Sequence, residues 1–296
     1  MHPKIQSRSE VDPRKDPLMR SQNIPLLLLL ASTAVACGDA DTTLSEVQCD
    51  EPSASDPEDA TSLYLDAWNE ADAVTRVCAI QRSLDEDAIL IDGSGTPGGR
   101  LEVVHRLDTA IELLSEEGIT RELDGPILYR HREALLAWSL VDASGTVIER
   151  GQDWLEFAGS GLLARIHILA GGGAEASATD ELLAWERAWN TPDQAALLEE
   201  LRIATTEDVR FTDLLTDVQG REPLAAEIRR QQTAFDSALF LGESLRVFAT
   251  QGERSLLIRQ SAQVIFSDGG TLDVVNYVRF RDGRIERLSG FPASSL

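Results

Sequence analysis

Two strand-like segments of this sequence each carry one polar residue on an otherwise apolar face. In residues 153–157, side-chain alternation places Asp153 on a face with two apolar neighbours. Burial there would favour the neutral carboxyl group, which suits an aspartate to general acid or base catalysis near neutral pH. The alternative is that Asp153 caps a turn or bonds a backbone amide. Residues 276–280 carry Asn276 at the matching place, which cannot transfer a proton and therefore fits binding better than catalysis.

Further candidate pocket residues occupy equivalent places in the two halves of the chain. Asp92 and Asp213 each end a short apolar strand, where a structural role in the following turn is the leading interpretation. Trp138 could line an apolar pocket. Arg259, at the equivalent strand position, could bind an anion or form a surface ion pair.

The sequence carries no motif for a metal or a cofactor. It has no phosphate-binding loop, dinucleotide-binding glycine motif, GxSxG or HExxH sequence, and no Cys/His spacing typical of a metal site. The formal net charge of −23 argues against nucleic acid and anionic lipid headgroups as partners, because both bind cationic patches. We therefore expect no metal, no cofactor and no nucleic-acid partner.

The elements that position these residues occur twice. One shift of 121 residues aligns Ala67-Trp68-Asn69 with Ala188-Trp189-Asn190, and Gly99-Arg100 with Gly220-Arg221. A repeat of this length has the size of a domain. The predicted regions are a first domain at 58–170, a flexible linker at 171–177 and a second domain at 178–296.

Within each copy, helical periodicity comes first and strand-like alternation follows. The predicted helices are 58–69, 73–84 and 100–117 in the first copy, and 179–190, 192–203 and 221–236 in the second. A short strand precedes the third helix, at 88–91 and at 209–212, and about four strands follow it. This order predicts an α+β fold, with N-terminal helices packed on an antiparallel sheet.

The order of these motifs resembles the nuclear transport factor 2-like superfamily, in particular its SnoaL-like polyketide-cyclase branch. The features that carry the resemblance are the Trp-Asn helix, the strand ending in aspartate, the Gly-Arg start of the next helix, and the closing strands at 151–157 and 276–285. The resemblance implies two tandem cone-shaped domains, each with a curved sheet around a pocket. Paired domains of this superfamily pack sheet to sheet, which implies an intramolecular pseudo-dimer.

The resemblance also implies roles for single residues. Ketosteroid isomerase, a member of this superfamily, uses an aspartate base, and Asp153 would take that role here. Members often direct a polar residue from the third helix into the pocket, which makes His105 a helper of Asp153. The aligned residue in the second copy is Ala226, so this role would not be shared. A solvent-facing His105 is the alternative.

The N-terminal segment predicts export and a lipid anchor. Arg20 is followed by the leucines of 26–30 and by small residues that end in Ala34-Val35-Ala36-Cys37. This apolar run is shorter than the roughly 20 residues that a spanning helix needs. The ending resembles the lipobox of bacterial lipoprotein precursors, which implies cleavage before Cys37 and acylation of its sulfur. An ordinary cleaved secretion signal is the alternative. We predict a signal peptide at 1–36, with Met19 as a candidate start, and an acidic tether at 37–57.

If Cys37 is acylated, Cys49 and Cys78 are left as a pair. Such a pair is expected to form a disulfide outside the cytoplasm, and two free thiols are the alternative. The sequence thus predicts a lipoprotein anchored by acyl chains on the outer side of a bacterial membrane. Its two pocket domains would bind a small apolar molecule or an envelope protein without catalysis. The alternative is a SnoaL-like isomerase, cyclase or hydrolase that uses Asp153 on a small apolar substrate.

Overall fold

The computed structural model describes residues 47, 49, 52–92, 97–171, 174–175, 179–213, 215–234, 239–249, 256–266 and 269–292. Side chains are described for all of these except 174–175, 234, 239–249 and 256–259. The predicted signal peptide, Cys37 and most of the acidic tether lie outside the described residues. Within the described part of the chain, no helix is long and apolar enough to cross a membrane.

The chain is α+β, and its described residues form two units, each with three helices and its own sheet. The first unit contains α1 Pro57–Ala67, α2 Ala73–Ser83, β1 Leu84–Ile91, α3 Arg100–Glu116, β2 Thr120–Leu123, β3 Leu128–Arg130, β4 Glu133–Val141, β5 Val147–Phe157 and β6 Leu163–Ala170. The second contains β7 Ala174–Glu175, α4 Asp180–Asn190, α5 Gln194–Ala204, β8 Thr205–Thr212, β9 Asp217–Gln219, α6 Arg221–Ala234, β10 Leu239–Ala249, β11 Leu256–Ile265, β12 Thr271–Arg281 and β13 Arg284–Pro292.

The 121-residue spacing recurs in the details of these elements. Asp72 caps α2 by accepting a hydrogen bond from Thr75 N, and Asp193 caps α5 in the same way through Ala196 N, both at 2.8 Å. Gly99 and Gly220 precede α3 and α6 with φ of 85° and 96°, a region that suits glycine because it has no Cβ. Equal caps and equal glycine turns therefore start the corresponding helices in both units.

Each sheet is mostly antiparallel but contains one parallel pair. The strand orders are β1-β6-β5-β4-β2, with β3 also on β4, and β7-β10-β11-β12-β13-β8-β9. The parallel pairs are β1 with β6 and β8 with β13. Their strands are joined through a helix and several strands, and such a long crossover lets two neighbouring strands run the same way. The predicted antiparallel sheet is thus mixed at one position in each unit.

Some element bounds differ from the sequence-based prediction. Strands β1 and β8 each begin four residues earlier than predicted, at Leu84 and Thr205. In both strands two exposed acidic residues, Glu86-Asp87 and Glu207-Asp208, lie before the apolar run and hide the strand pattern. The predicted linker contains the two-residue strand β7, which pairs with β10. The predicted disulfide joins Cys49 to Cys78 and ties the segment before α1 to α2.

The described apolar side chains form three buried clusters. One lies between the helices and sheet of the first unit, and a second lies at the same place in the second unit. The third is formed by residues of both sheets, namely Leu135, Trp154, Leu169, Val275, Tyr277 and Phe291. Polar contacts accompany it: Tyr277 Oη donates to Gln152 Oε1 at 2.5 Å, and Arg287 Nε donates to Glu133 Oε1 at 2.7 Å. The two sheets therefore contact each other through their outer faces.

Candidate functional site

The interior of the first unit is occupied by a buried ion pair centred on Asp153. The side chain of Asp153 is completely buried, and Arg121 Nη2 lies 2.6 Å from its Oδ2. Tyr64 Oη donates to the same oxygen at 2.7 Å, and Trp138 Nε1 donates to Oδ1 at 2.8 Å. Both carboxylate oxygens are thus bonded to donors inside the protein.

Aromatic rings enclose the guanidinium of this pair. The Cζ atom of Arg121 lies 4.2 Å from the ring centroid of Trp68 and 4.5 Å from that of Trp138, within the range of cation–π attraction. Asn69 holds the Arg121 backbone from both sides, accepting from its N at 2.9 Å and donating to its O at 2.8 Å. Gly151 leaves room for the Trp138 ring, because a Cβ there would lie 2.2 Å from the ring.

The groups of this cluster determine one another's protonation states. Burial disfavours the charged form of Arg121, but Asp153 and Tyr64 together outweigh it and raise the pKa of the guanidinium. Burial, together with the same carboxylate, raises the pKa of Tyr64 far above its ordinary value. The tyrosine therefore stays a neutral donor, and the arginine stays a cation. The arrangement is a buried charge pair, in which Asp153 is not exposed and Arg121 is almost completely buried.

The predicted partnership of His105 with Asp153 is wrong. His105 is solvent-exposed on α3, whereas Asp153 is fully enclosed. The two buried residues that precede it, Val103 and Val104, mark the inner face of this helix, and His105 lies beyond them.

Trp138 is buried as expected for a lining residue, but its indole donates to Asp153 and does not line an open pocket. Asp92 is buried near the end of β1, where Arg106 Nε approaches its Oδ2 at 3.3 Å.

Whereas the first unit has a cavity of about 20 Å³ at the equivalent place, the second unit contains an apolar cavity of about 140 Å³. Its walls are mostly aromatic and aliphatic. The lining residues are Arg130, Trp185, Trp189, Phe211, Asp213, Leu215, Gln231, Gln232, Val264, Phe266, Leu272, Val274, Asn276, Gly290, Phe291 and Pro292. Two of the predicted second-unit candidates, Asp213 and Asn276, thus line the same cavity. The side chain of the third, Arg259, lies outside the described ones.

Hydrogen bonds fix the polar groups of this cavity. Asp213 Oδ1 accepts from Leu215 N at 2.8 Å, and its Oδ2 accepts from Gln231 Nε2 at 2.6 Å. Asn276 Nδ2 is 3.4 Å from Gln260 Oε1, a long contact within the β11–β12 pair. Gly290 on β13 makes room for this amide, because a Cβ there would lie 3.1 Å from Asn276 Oδ1. The cavity therefore presents a few held polar groups on an apolar wall.

Sequence reasoning missed Gln231 on α6, although it expected a polar residue from the third helix. The position aligned with His105 is Ala226, and Gln231 comes five residues later. Five residues turn an α-helix by about 140° beyond one full turn, so the two positions occupy different faces. The aligned position in the first unit is Ala110, which leaves that unit without this group. Heptad-like spacing from the buried Leu224 and Ile228 could have indicated position 231.

A second buried charge cluster lies where the two sheets meet. Glu156 accepts from Arg279 and Arg287 of the second unit, the latter at 2.8 Å, and its Oε1 is 2.9 Å from His167 Nε2. The His167 ring stacks on Trp154 at 4.4 Å. These arginines hold the pKa of Glu156 well below its usual range, against the effect of burial. Sequence alternation predicts that His167 points away from the core of its unit, and in the structure it points into this contact between the sheets.

Burial lowers the pKa of His167 to about 4, although Glu156 opposes the change. In the unfolded chain a histidine titrates near 6.5. As the pH falls from about 6.5 to 4, the unfolded chain therefore takes up a proton that the folded protein does not, and stability is lost over that window. Glu133 in the same contact has the opposite effect on the pH dependence of stability. Burial raises its pKa despite Arg287, so its contribution favours the folded protein as the pH falls.

Comparison with known proteins places the chain in no family. Neither protein-family models nor curated protein sequences give a match. Among solved structures, the chain is similar to a protein of the SnoaL-like family from Agrobacterium tumefaciens, with 19% identity over 39% of this chain and 97% of that one, at a TM-score of 0.36. It is also similar to a protein with a ketosteroid isomerase-like fold from Catenulispora acidiphila, solved in complex with trimethylamine. The identity is 14% over 40% of this chain and 90% of that one, at a TM-score of 0.32. At these scores the likeness carries no functional argument.

Proposed function

We propose that this protein is a lipid-anchored binding protein whose second unit holds a small, mainly apolar molecule, and whose first unit is a structural partner. The observation that carries the proposal is the difference between the two interiors. In the first unit Arg121 and Asp153 form a buried ion pair inside the core. The cavity at the equivalent place there, lined by Trp68, Asp92 and Ala110 among others, has only about 20 Å³. In the second unit that space is an apolar cavity. Acylation at Cys37 and a pseudo-dimer of tandem superfamily domains belong to the same proposal.

The size of the cavity supports a ligand with a single ring. An engineered apolar protein cavity of roughly 150 Å³ binds benzene, and this cavity has about 140 Å³. Apolar pockets with few, well-placed polar groups are typical of small-molecule sites. The described polar groups here are side chains already held by neighbours, such as Asp213 by Gln231. A molecule of this kind would enter without large rearrangement of these groups.

The test is a titration with cyclohexanol, followed by protein-observed NMR. The chain is used with Cys37→Ser, so that it carries no acyl group. Val274→Trp places an indole in the cavity that Val274 lines, and should abolish saturable binding. The matched control is Val147→Trp, the same change at an exposed position of β5. Equal binding by the Val274→Trp protein and its parent would show that the ligand site is elsewhere.

The anchor is tested separately. Cells expressing the full chain and its Cys37→Ser variant are fed labelled palmitate. The proposal expects label in the parent protein alone, and membrane association that is lost in the variant. Label in both proteins, or in neither, would contradict acylation at Cys37.

The enzyme alternative receives no support from the site that sequence reasoning assigned to it. Asp153 is completely buried, and its oxygens are bonded to Arg121, Tyr64 and Trp138. A general base must reach the proton that it abstracts, within about 3 Å or through one water molecule. Turnover of a small apolar substrate that disappears in Asp153→Asn, while the fold is retained, would restore the alternative.

A further inference from the structure

The cavity of the second unit is lined by one residue of the first. Arg130 lies on β3, and its Nη1 donates to Gly290 O on β13 at 2.7 Å. Its Cζ atom lies 4.8 Å from the ring centroid of Phe291, which also lines the cavity. Among the described residues that line the cavity, Arg130 is the one contributed by the first unit. The site is therefore built where the two units meet.

Two opposite charges belong to this one site. Arg130 is a permanent cation, since a guanidinium does not lose its proton in proteins. Asp213, on the other side of the unit boundary, lines the same cavity. Burial lowers the pKa of Arg130, and the carboxylate of Asp213 opposes this change, so the two groups interact. The guanidinium has five N–H donors, of which Nη1 supplies the bond to Gly290 O, and Arg130 is only half-buried.

We propose that Arg130 is a specificity-determining residue of this cavity and that, with Asp213, it selects an uncharged ring molecule bearing a hydroxyl or carbonyl group. This inference rests on the proposed function, because it names the ligand class of the same cavity. An anion would be attracted by Arg130 and repelled by Asp213. A cation would be attracted by Asp213 and repelled by Arg130. Either would also lose its hydration on entering an apolar site. A neutral hydroxyl can donate to the carboxylate and accept from the guanidinium, and therefore uses both groups.

The experiment compares three molecules that share one six-membered ring and differ in charge. They are cyclohexanol, cyclohexylammonium and cyclohexanecarboxylate, titrated at pH 7 into the full chain carrying Cys37→Ser. Affinities are measured by protein-observed NMR. In the parent protein, cyclohexanol should bind on the order of tenfold more tightly than either ion.

Two substitutions should then change the preference in opposite directions. Arg130→Met keeps the apolar stem and removes the charge, which leaves Asp213 to attract the ammonium. Asp213→Asn keeps an oxygen for Leu215 N, and leaves Arg130 to attract the carboxylate. Each variant should raise the affinity of the matching ion on the order of tenfold relative to the other ion. Arg132→Met, an exposed arginine two residues along the same hairpin, is the matched control and should leave the order unchanged.

A purely structural role of Arg130 would weaken all three molecules together and would not reverse the order of the ions. An unchanged order in both Arg130→Met and Asp213→Asn, with cyclohexanol still bound, would overturn this inference and leave the proposed function standing. Failure of the parent protein to bind any of the three would instead overturn the proposed function, and this inference with it.

Discussion

Replacing Asp153 with asparagine should strongly destabilise the protein. The change removes the negative partner of Arg121, whose side chain is only 3% exposed, and leaves an uncompensated cation inside the first unit. Breaking a buried pair on one side costs about 3–5 kcal/mol. Asparagine has a single acceptor oxygen, so it can keep the bond from Trp138 Nε1 only by turning its amide nitrogen toward Tyr64 and Arg121. We therefore expect the middle of that range, about 4 kcal/mol.

The assay is urea unfolding followed by tryptophan fluorescence, since the rings of Trp68 and Trp138 flank the guanidinium. The control is Asp208→Asn, which breaks an exposed pair with Arg281 and should cost less than about 1 kcal/mol. A double variant, Arg121→Met with Asp153→Leu, replaces both charges by apolar groups and should recover much of the loss. A cost below about 1 kcal/mol for Asp153→Asn, or a double variant as unstable as the single one, would refute the reasoning.

The remaining predictions concern the contact between the sheets and the packing of Trp138. Lowering the pH from 6.5 to about 4 should destabilise the parent protein by up to about 3 kcal/mol through His167, and His167→Gln should lose this part of the pH dependence. Urea midpoints at several pH values check this, and equal slopes for both proteins would contradict it. Gly151→Ala should cost about 1–3 kcal/mol, because its Cβ would meet the Trp138 ring. Gly159→Ala, whose Cβ would have no neighbour nearer than 3.9 Å, should be close to neutral in the same unfolding assay.

Much of the fold depends on short stretches of sequence, and these parts are predicted well. The caps at Asp72 and Asp193 and the glycine turns at Gly99 and Gly220 lie on one 121-residue shift, and the structure uses them identically. Capping and positive φ depend on a few neighbouring residues, so a sequence pattern suffices. The early starts of β1 and β8 were missed because exposed acidic residues interrupt the apolar pattern there.

The site depends on long-range contacts, and local patterns do not reveal them. Alternation correctly places Asp153 on an inward face, but its partners Tyr64 and Arg121 are 89 and 32 residues away. A buried carboxylate with an arginine partner is a structural pair, and without one it is a candidate base. An aspartate at this strand position can therefore be either a structural ion-pair partner or a catalytic base, and the strand pattern does not distinguish the two. Arg130 was missed for a related reason, because its role depends on contact with a strand 160 residues later.

The most direct test of the account is to map where cyclohexanol binds by its effects on backbone amide resonances. Saturable shifts should appear in the walls of the second cavity, at Phe211, Asp213, Val274 and Asn276. The amide of Asp153, at the buried ion pair of the first unit, should not move at the same concentrations. Shifts centred on Asp153, or equal shifts in both units, would contradict the claim that one interior is closed and the other is a binding site.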